Sequence, residues 1–130
     1  MRIESDLPTE LEALMSVVIG AAIEVHRHLG PGFVESIYEQ ALCYELMERK
    51  VPFERQKEIA VPYKRAVLTG QRLDLLVDAR LILELKAVAQ ILPIHEAQIM
   101  SYLKALNLRA GLILNFNVKQ MRLGIKRLVK

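Results

Sequence analysis

The chain has a single cysteine, Cys43, no tryptophan, and only five prolines and six glycines in 130 residues. One thiol excludes a disulfide framework and a thiolate metal cluster, and it fits a reducing, cytoplasmic setting. Sparse proline and glycine, with 52% hydrophobic and 25% charged residues, exclude a disordered segment. No apolar run is long enough to span a bilayer. The longest, residues 14–23, is interrupted by Ser16 and follows acids rather than the basic cluster of a secretory signal. Neither a targeting segment nor a membrane partner is expected. The length suits one domain over residues 1–130.

Acid is scarce in the second half. Residues 1–60 hold 6 basic and 11 acidic side chains, net −5, whereas residues 61–130 hold 12 basic and 4 acidic, net +8. A cationic half of this kind either solvates a surface or faces phosphate.

Apolar positions 11, 14, 15, 18, 22, 25 and 29 follow helical spacing and predict a first helix over 8–28, with Gly30 as its stop. A turn, GPGF, leads to a second helix reaching Lys50. Residues 52–65 read as extended, with Pro62 arguing for an edge. Two strands follow, over 71–78 and 80–88, joined by residues 78–80. A helix over 94–108, a strand over 110–116 and a last strand over 120–129 complete the order α-α-β-β-β-α-β-β. The fold class is α/β, one mixed sheet flanked by helices.

The charged strand LILELKAV carries the chemistry. Glu84 and Lys86 share a face, opposite Leu81, Leu83 and Leu85. A three-residue connection sets Val77 against Leu81 and therefore Asp74 against Glu84; a two-residue loop would send Asp74 to the other face. Two adjacent carboxylates repel unless something neutralises them. Lys86 can neutralise one, as a plain ion pair. A hard divalent cation would take both. On the next helix Gln98 and Tyr102 are four apart and share a face, an amide and a phenol suited to phosphate oxygens or a bound water.

Asp74-x9-Glu84-x-Lys86 followed by Gln98-x-x-x-Tyr102 resembles the active-site signature of the PD-(D/E)xK nuclease superfamily, in its RecB-like and lambda-exonuclease-like branch. Upstream, Gly32-x-x-Glu35-x-x-Tyr38 together with ELKAV resembles the GxxExxY family assigned to it. The likeness runs from about residue 10 to 129. It implies a restriction-endonuclease-like core and a nuclease acting on DNA, with RNA as the lesser alternative, dependent on Mg²⁺ or Mn²⁺. It implies metal ligation by Asp74, Glu84, the Leu85 carbonyl and Glu35. Lys86 would orient or deprotonate the attacking water, Gln98 and Tyr102 would position substrate or water, and Tyr38 is either a further substrate contact or a core tyrosine. The proline that names the superfamily is replaced by Leu73. No appended domain grips nucleic acid, so that task falls to the basic C-terminal part, a homodimer or a partner protein.

Other residues have plainer readings. His26 and His28 point apart on their helix and make a poor metal pair. His95 suits a helix entry more than a substrate contact. Cys43 is a small helix residue. Lys126, Arg127 and Lys130 are candidates for phosphate contacts. A catalytically silent nucleic-acid-binding module and a protein-interaction module with an internal ion pair stay open beside the nuclease.

Overall fold

A computed structural model describes residues 6–130. The leader reading and the expected domain both include residues 1–5, which lie outside the described residues.

Helix α1, Thr9–Leu29, buries Leu11, Met15, Val18, Ala22 and Val25 at alternating steps of four and three. Pro8 stands just before it and accepts its first backbone bonds from Leu11 and Glu12. Helix α2, Glu35–Glu48, buries Tyr38, Leu42 and Leu46. Among the described residues, no helix is long and apolar enough to cross a membrane.

Five strands follow: β1 Phe53–Tyr63, β2 Ala66–Val77, β3 Leu81–Lys86, β4 Ala110–Asn115 and β5 Ile125–Val129, with α3, Pro93–Leu106, between β3 and β4. The sheet order is β1-β2-β3-β4-β5, and only β3–β4 is parallel. The expected order and fold class hold. The strand that holds Pro62 lies at the edge of the sheet, as expected.

Helices cover both faces of the centre, which is why Leu81–Leu85 is buried on every residue. Leu81, Leu83, Leu85 and Leu75 pack with α1 and α2. Ile82, Ile113 and Leu73 pack with Ile99 and Leu103 of α3. Gly111 lets α3 approach β4, since a Cβ there would lie 2.9 Å from the Ile99 side chain.

Three boundaries differ from expectation. The last strand begins only at Ile125, because Met121–Gly124 winds into a 3-10 turn that buries Met121. Helix α3 starts on Pro93, whose fixed φ suits the first helical position. Strand β2 starts at Ala66 rather than 71, and its outer part pairs with β1 alone.

Candidate active site

The β2–β3 ladder runs Val77↔Leu81, Leu76↔Ile82, Leu75↔Leu83 and stops. This is the register expected of the three-residue connection. The next two residues are Asp74 and Glu84, and there side chains replace the ladder. The Asp74 N–H donates to Glu84 Oε1 at 3.2 Å, and the Leu85 N–H donates to Asp74 Oδ2 at 2.8 Å. Pairing with β1 also skips this point: Arg55↔Leu75 and Lys57↔Leu73 flank Gln56, which takes a left-handed φ of 48°. Asp74 thus sits where β2 is unzipped on both sides.

Glu84 is only 5% exposed. Burial pushes its carboxyl up to about 8, the Asp74 charge adds to the shift, and Lys86 opposes it. Ordinary carboxylates titrate near 4, so this group is held protonated unless positive charge arrives. Glu35 opens α2 and is raised in the same sense, first by burial and then by the Asp74 charge, with Lys86 again opposing.

Lys86 lies on the floor of a cleft of about 500 Å³ that Gln98, Tyr102, His95 and Ser101 of α3 wall on one side, with Val61 and Gln71 of the β1–β2 hairpin on the other. Lys86, Gln98 and Tyr102 therefore meet as expected. Burial pushes the Tyr102 phenol up, and the nearby Glu84 and Asp74 charges act in the same direction. The Gln71 amide donates to its oxygen at 2.5 Å. Gln71 was not foreseen; its only signal was its place three residues before Asp74. His95 serves the helix entry, its Nδ1 accepting from the Leu92 N–H at 3.0 Å, and it also reaches the cleft wall.

Of its two readings, Tyr38 takes the place of a core tyrosine. Its ring is fully buried, stacked on Phe116 at 4.6 Å. Its hydroxyl donates to the Gly30 carbonyl at 2.6 Å and accepts from the Phe33 N–H at 3.2 Å. Tyr38 clamps the GPGF turn, where Gly32 at φ 114° needs to be glycine.

Glu39, on the turn after Glu35, was also missed. It is buried and takes bonds from Arg55 at 2.8 Å and from Gln56 at 2.8 Å, which fixes β1 at the kink opposite Asp74.

The remaining expectations divide. His26 is buried with Nε2 2.7 Å from the Val118 carbonyl, while His28 pairs with Glu24, so they share no ligand. Cys43 is buried and its thiol is pushed up to about 11 by burial, an inert position. In the tail Arg127 pairs with Glu12, and Lys126 lies 3.7 Å from Glu96, so both already face acids.

The oxygen donors fit a hard cation in part. Among the described residues, no three His, Cys, Asp or Glu side chains close into a ready cage. Asp74 and Glu84 supply a pair. Lys86 sends its carbonyl to the Phe116 N–H on the β4 side, so by strand alternation the Leu85 carbonyl faces the unzipped β2 edge. Two carboxylates and a carbonyl, with waters completing the shell, suit Mg²⁺ or Mn²⁺. Glu35 stands at electrostatic reach rather than inside a compact ligand group, which revises its expected role as a direct ligand.

A family model described as the PD-(D/E)XK nuclease superfamily matches residues 12–128. The chain belongs to that superfamily. No curated protein and no solved structure matches it. PD-(D/E)XK nucleases use divalent metal ions, and the oxygen-donor pair at Asp74 and Glu84 has the chemistry that requirement needs.

Proposed function

We propose that this PD-(D/E)XK protein is a metal-dependent nuclease that hydrolyses DNA phosphodiesters, within the GxxExxY group of the RecB-like and lambda-exonuclease-like branch. One observation carries the reading. The ladder of the central sheet is given up at Asp74 and Glu84, beside a cleft floored by Lys86. Burying the Glu84 carboxyl beside a second acid costs stability, and a sequence built for stability alone would place apolar residues there.

Bound at Asp74, Glu84 and the Leu85 carbonyl, Mg²⁺ or Mn²⁺ would lower the pKa of a water and neutralise charge on the phosphate. The chain's own groups do the rest. The Lys86 ammonium, two residues along the strand, stabilises the hydroxide and the charge that grows on the phosphate oxygens. Tyr102, held by Gln71, and Gln98 donate to phosphate oxygens or orient the water. Glu35, at the start of α2, would add negative charge toward a cation held at Asp74.

The test is Mn²⁺ titration by calorimetry on the wild type and on Asp74→Ala, followed by cleavage assays on DNA and RNA side by side. Heat in the wild type, lost in the variant with the fold intact, supports the site. No binding in the wild type, even with a short oligonucleotide present, would sink the nuclease reading and leave a silent module of the same fold.

A further inference from the structure

The outer half of the β1–β2 hairpin leaves the sheet. β3 pairs only with Leu75, Leu76 and Val77, so residues 66–73 of β2 touch no strand but β1, and β1 is itself the sheet's edge. The result is a two-stranded arm closed by Lys64 and Arg65. Its register slips between Ile59 and Val61, where Gly70 at φ 102° takes up the extra residue. Such a bulge bends and twists a ribbon, and it re-aims the tip.

The arm's inner face continues the cleft. Val61 and Gln71 form the cleft wall opposite α3. Beyond the bulge the register is unbroken, Val61↔Leu68 and Tyr63↔Ala66, so Tyr63 lies on the same face as Val61. From Gln71 to the turn is roughly 20 Å at about 3.3 Å per residue. Along that path residues 59–71 carry Lys64 and Arg65 and no acid; Arg72 lies on the other face, opposite Glu58. The tail cations Lys126 and Arg127, by contrast, are paired with acids.

Edge protection explains a lysine on an open ribbon. It does not explain the aromatic ring beside it. Tyr63 is 57% exposed, with the Lys64 ammonium 5.5 Å from its ring centre. Cations interleaved with an exposed aromatic ring are the chemistry of single-strand binding, phosphates on the charges and a base on the ring.

We infer that the arm is the nucleic-acid grip of this protein: Lys64 and Arg65 take backbone phosphates, and Tyr63 stacks a base of a single strand leaving the cleft. The inference rests on the cleft being the place where a phosphodiester is cut.

The experiment is fluorescence anisotropy with a labelled single-stranded DNA of mixed sequence, about 20 nucleotides long to cover one binding site. It is run in EDTA, so that nothing is hydrolysed, across a range of salt. Lys64→Glu/Arg65→Glu should weaken binding and make the log–log salt slope shallower by ~1.4, for two phosphates lost from a single strand. Tyr63→Ala should weaken binding about tenfold with the slope unchanged, because stacking releases no counterion. Arg49→Glu/Lys50→Glu, the same charge change at the far end of α2, should keep the wild-type slope.

Wild-type affinity and slope in the arm variants overturn the inference, whether or not the protein cleaves DNA. Equal weakening by the α2 control also overturns it, since net charge alone would then account for binding. Arm-dependent binding by a protein that takes up no Mn²⁺ leaves the grip standing and removes the nuclease instead.

Discussion

The Leu85 N–H donates to the carboxylate of Asp74 at 2.8 Å, just past the last paired residues of β2 and β3. In an unbroken antiparallel pair that N–H would meet a main-chain carbonyl. Here a side chain accepts the bond, and β2 and β3 stay joined past the end of their ladder. The bond to Leu85 needs only an oxygen at this position, whereas the interaction with the Glu84 carboxyl depends on the Asp74 charge.

That division separates two substitutions. Asp74→Asn keeps an oxygen for the Leu85 N–H and removes the charge beside Glu84. Its stability without metal should stay within about 1 kcal/mol of wild type, because the bond to the Leu85 N–H is kept. Divalent-ion binding should be lost. Urea denaturation and calorimetry on one preparation check both halves, and retained Mn²⁺ heat would remove Asp74 from the site.

Stability should depend on pH in an unusual direction. The Glu84 carboxyl, pushed by burial from its ordinary 4.5 up to about 8, binds its proton more tightly in the native state than in the unfolded chain. The native state therefore loses ground as pH rises from about 4.5 to about 8, on the order of a few kcal/mol in all. Glu35 is raised too and adds to the same trend. Denaturation in EDTA should show this fall, and millimolar Mn²⁺ should flatten it by holding the carboxylates ionised. A metal-free protein whose stability is level across that window contradicts the buried acid pair.

Tyr38→Phe isolates the clamp. The stack on Phe116 survives, while the bonds to Gly30 and Phe33 are lost and a partly buried carbonyl goes unpaired. Stability should fall by roughly 1–2 kcal/mol. Affinity for DNA should be unchanged, since the hydroxyl points into the GPGF turn and not into the cleft. A drop in DNA affinity at constant stability would restore Tyr38 as a substrate contact.

Much of this could be read before the structure because the deciding features were local. Three residues between two apolar strands set the register that puts Asp74 beside Glu84, and a four-residue spacing puts Gln98 and Tyr102 on one face. What escaped was whatever depended on distant partners or on the absence of burial. Residues 66–70 lack apolar alternation because the arm buries no continuous face there, so the strand seemed to begin at Gln71. Glu39 looked like any helix-surface acid until Arg55 and Gln56 came to it from β1. Tyr38 carried a motif position, but only the fold reveals that its hydroxyl is spent on the turn.

Lys86 offers the sharpest distinction between chemistry and structure. It is half-buried on the cleft floor, and its charge opposes the upward shifts of Glu84 and Glu35. If the lysine were kept only to offset those acids, Lys86→Met would be neutral or stabilising, because apolar replacements of buried charges often are. Any cleavage by the protein would then persist. If it stabilises the attacking hydroxide and the charge on phosphate, the same change should cost about 10²–10³ in kcat, the range seen when one preorganised donor is removed. Mn²⁺ affinity should be kept, since Lys86 is not a ligand. Single-turnover cleavage with saturating Mn²⁺, alongside calorimetry on the same variant, reads both quantities. Lost turnover with intact metal binding assigns Lys86 to the reaction, and unchanged turnover assigns it to the fold.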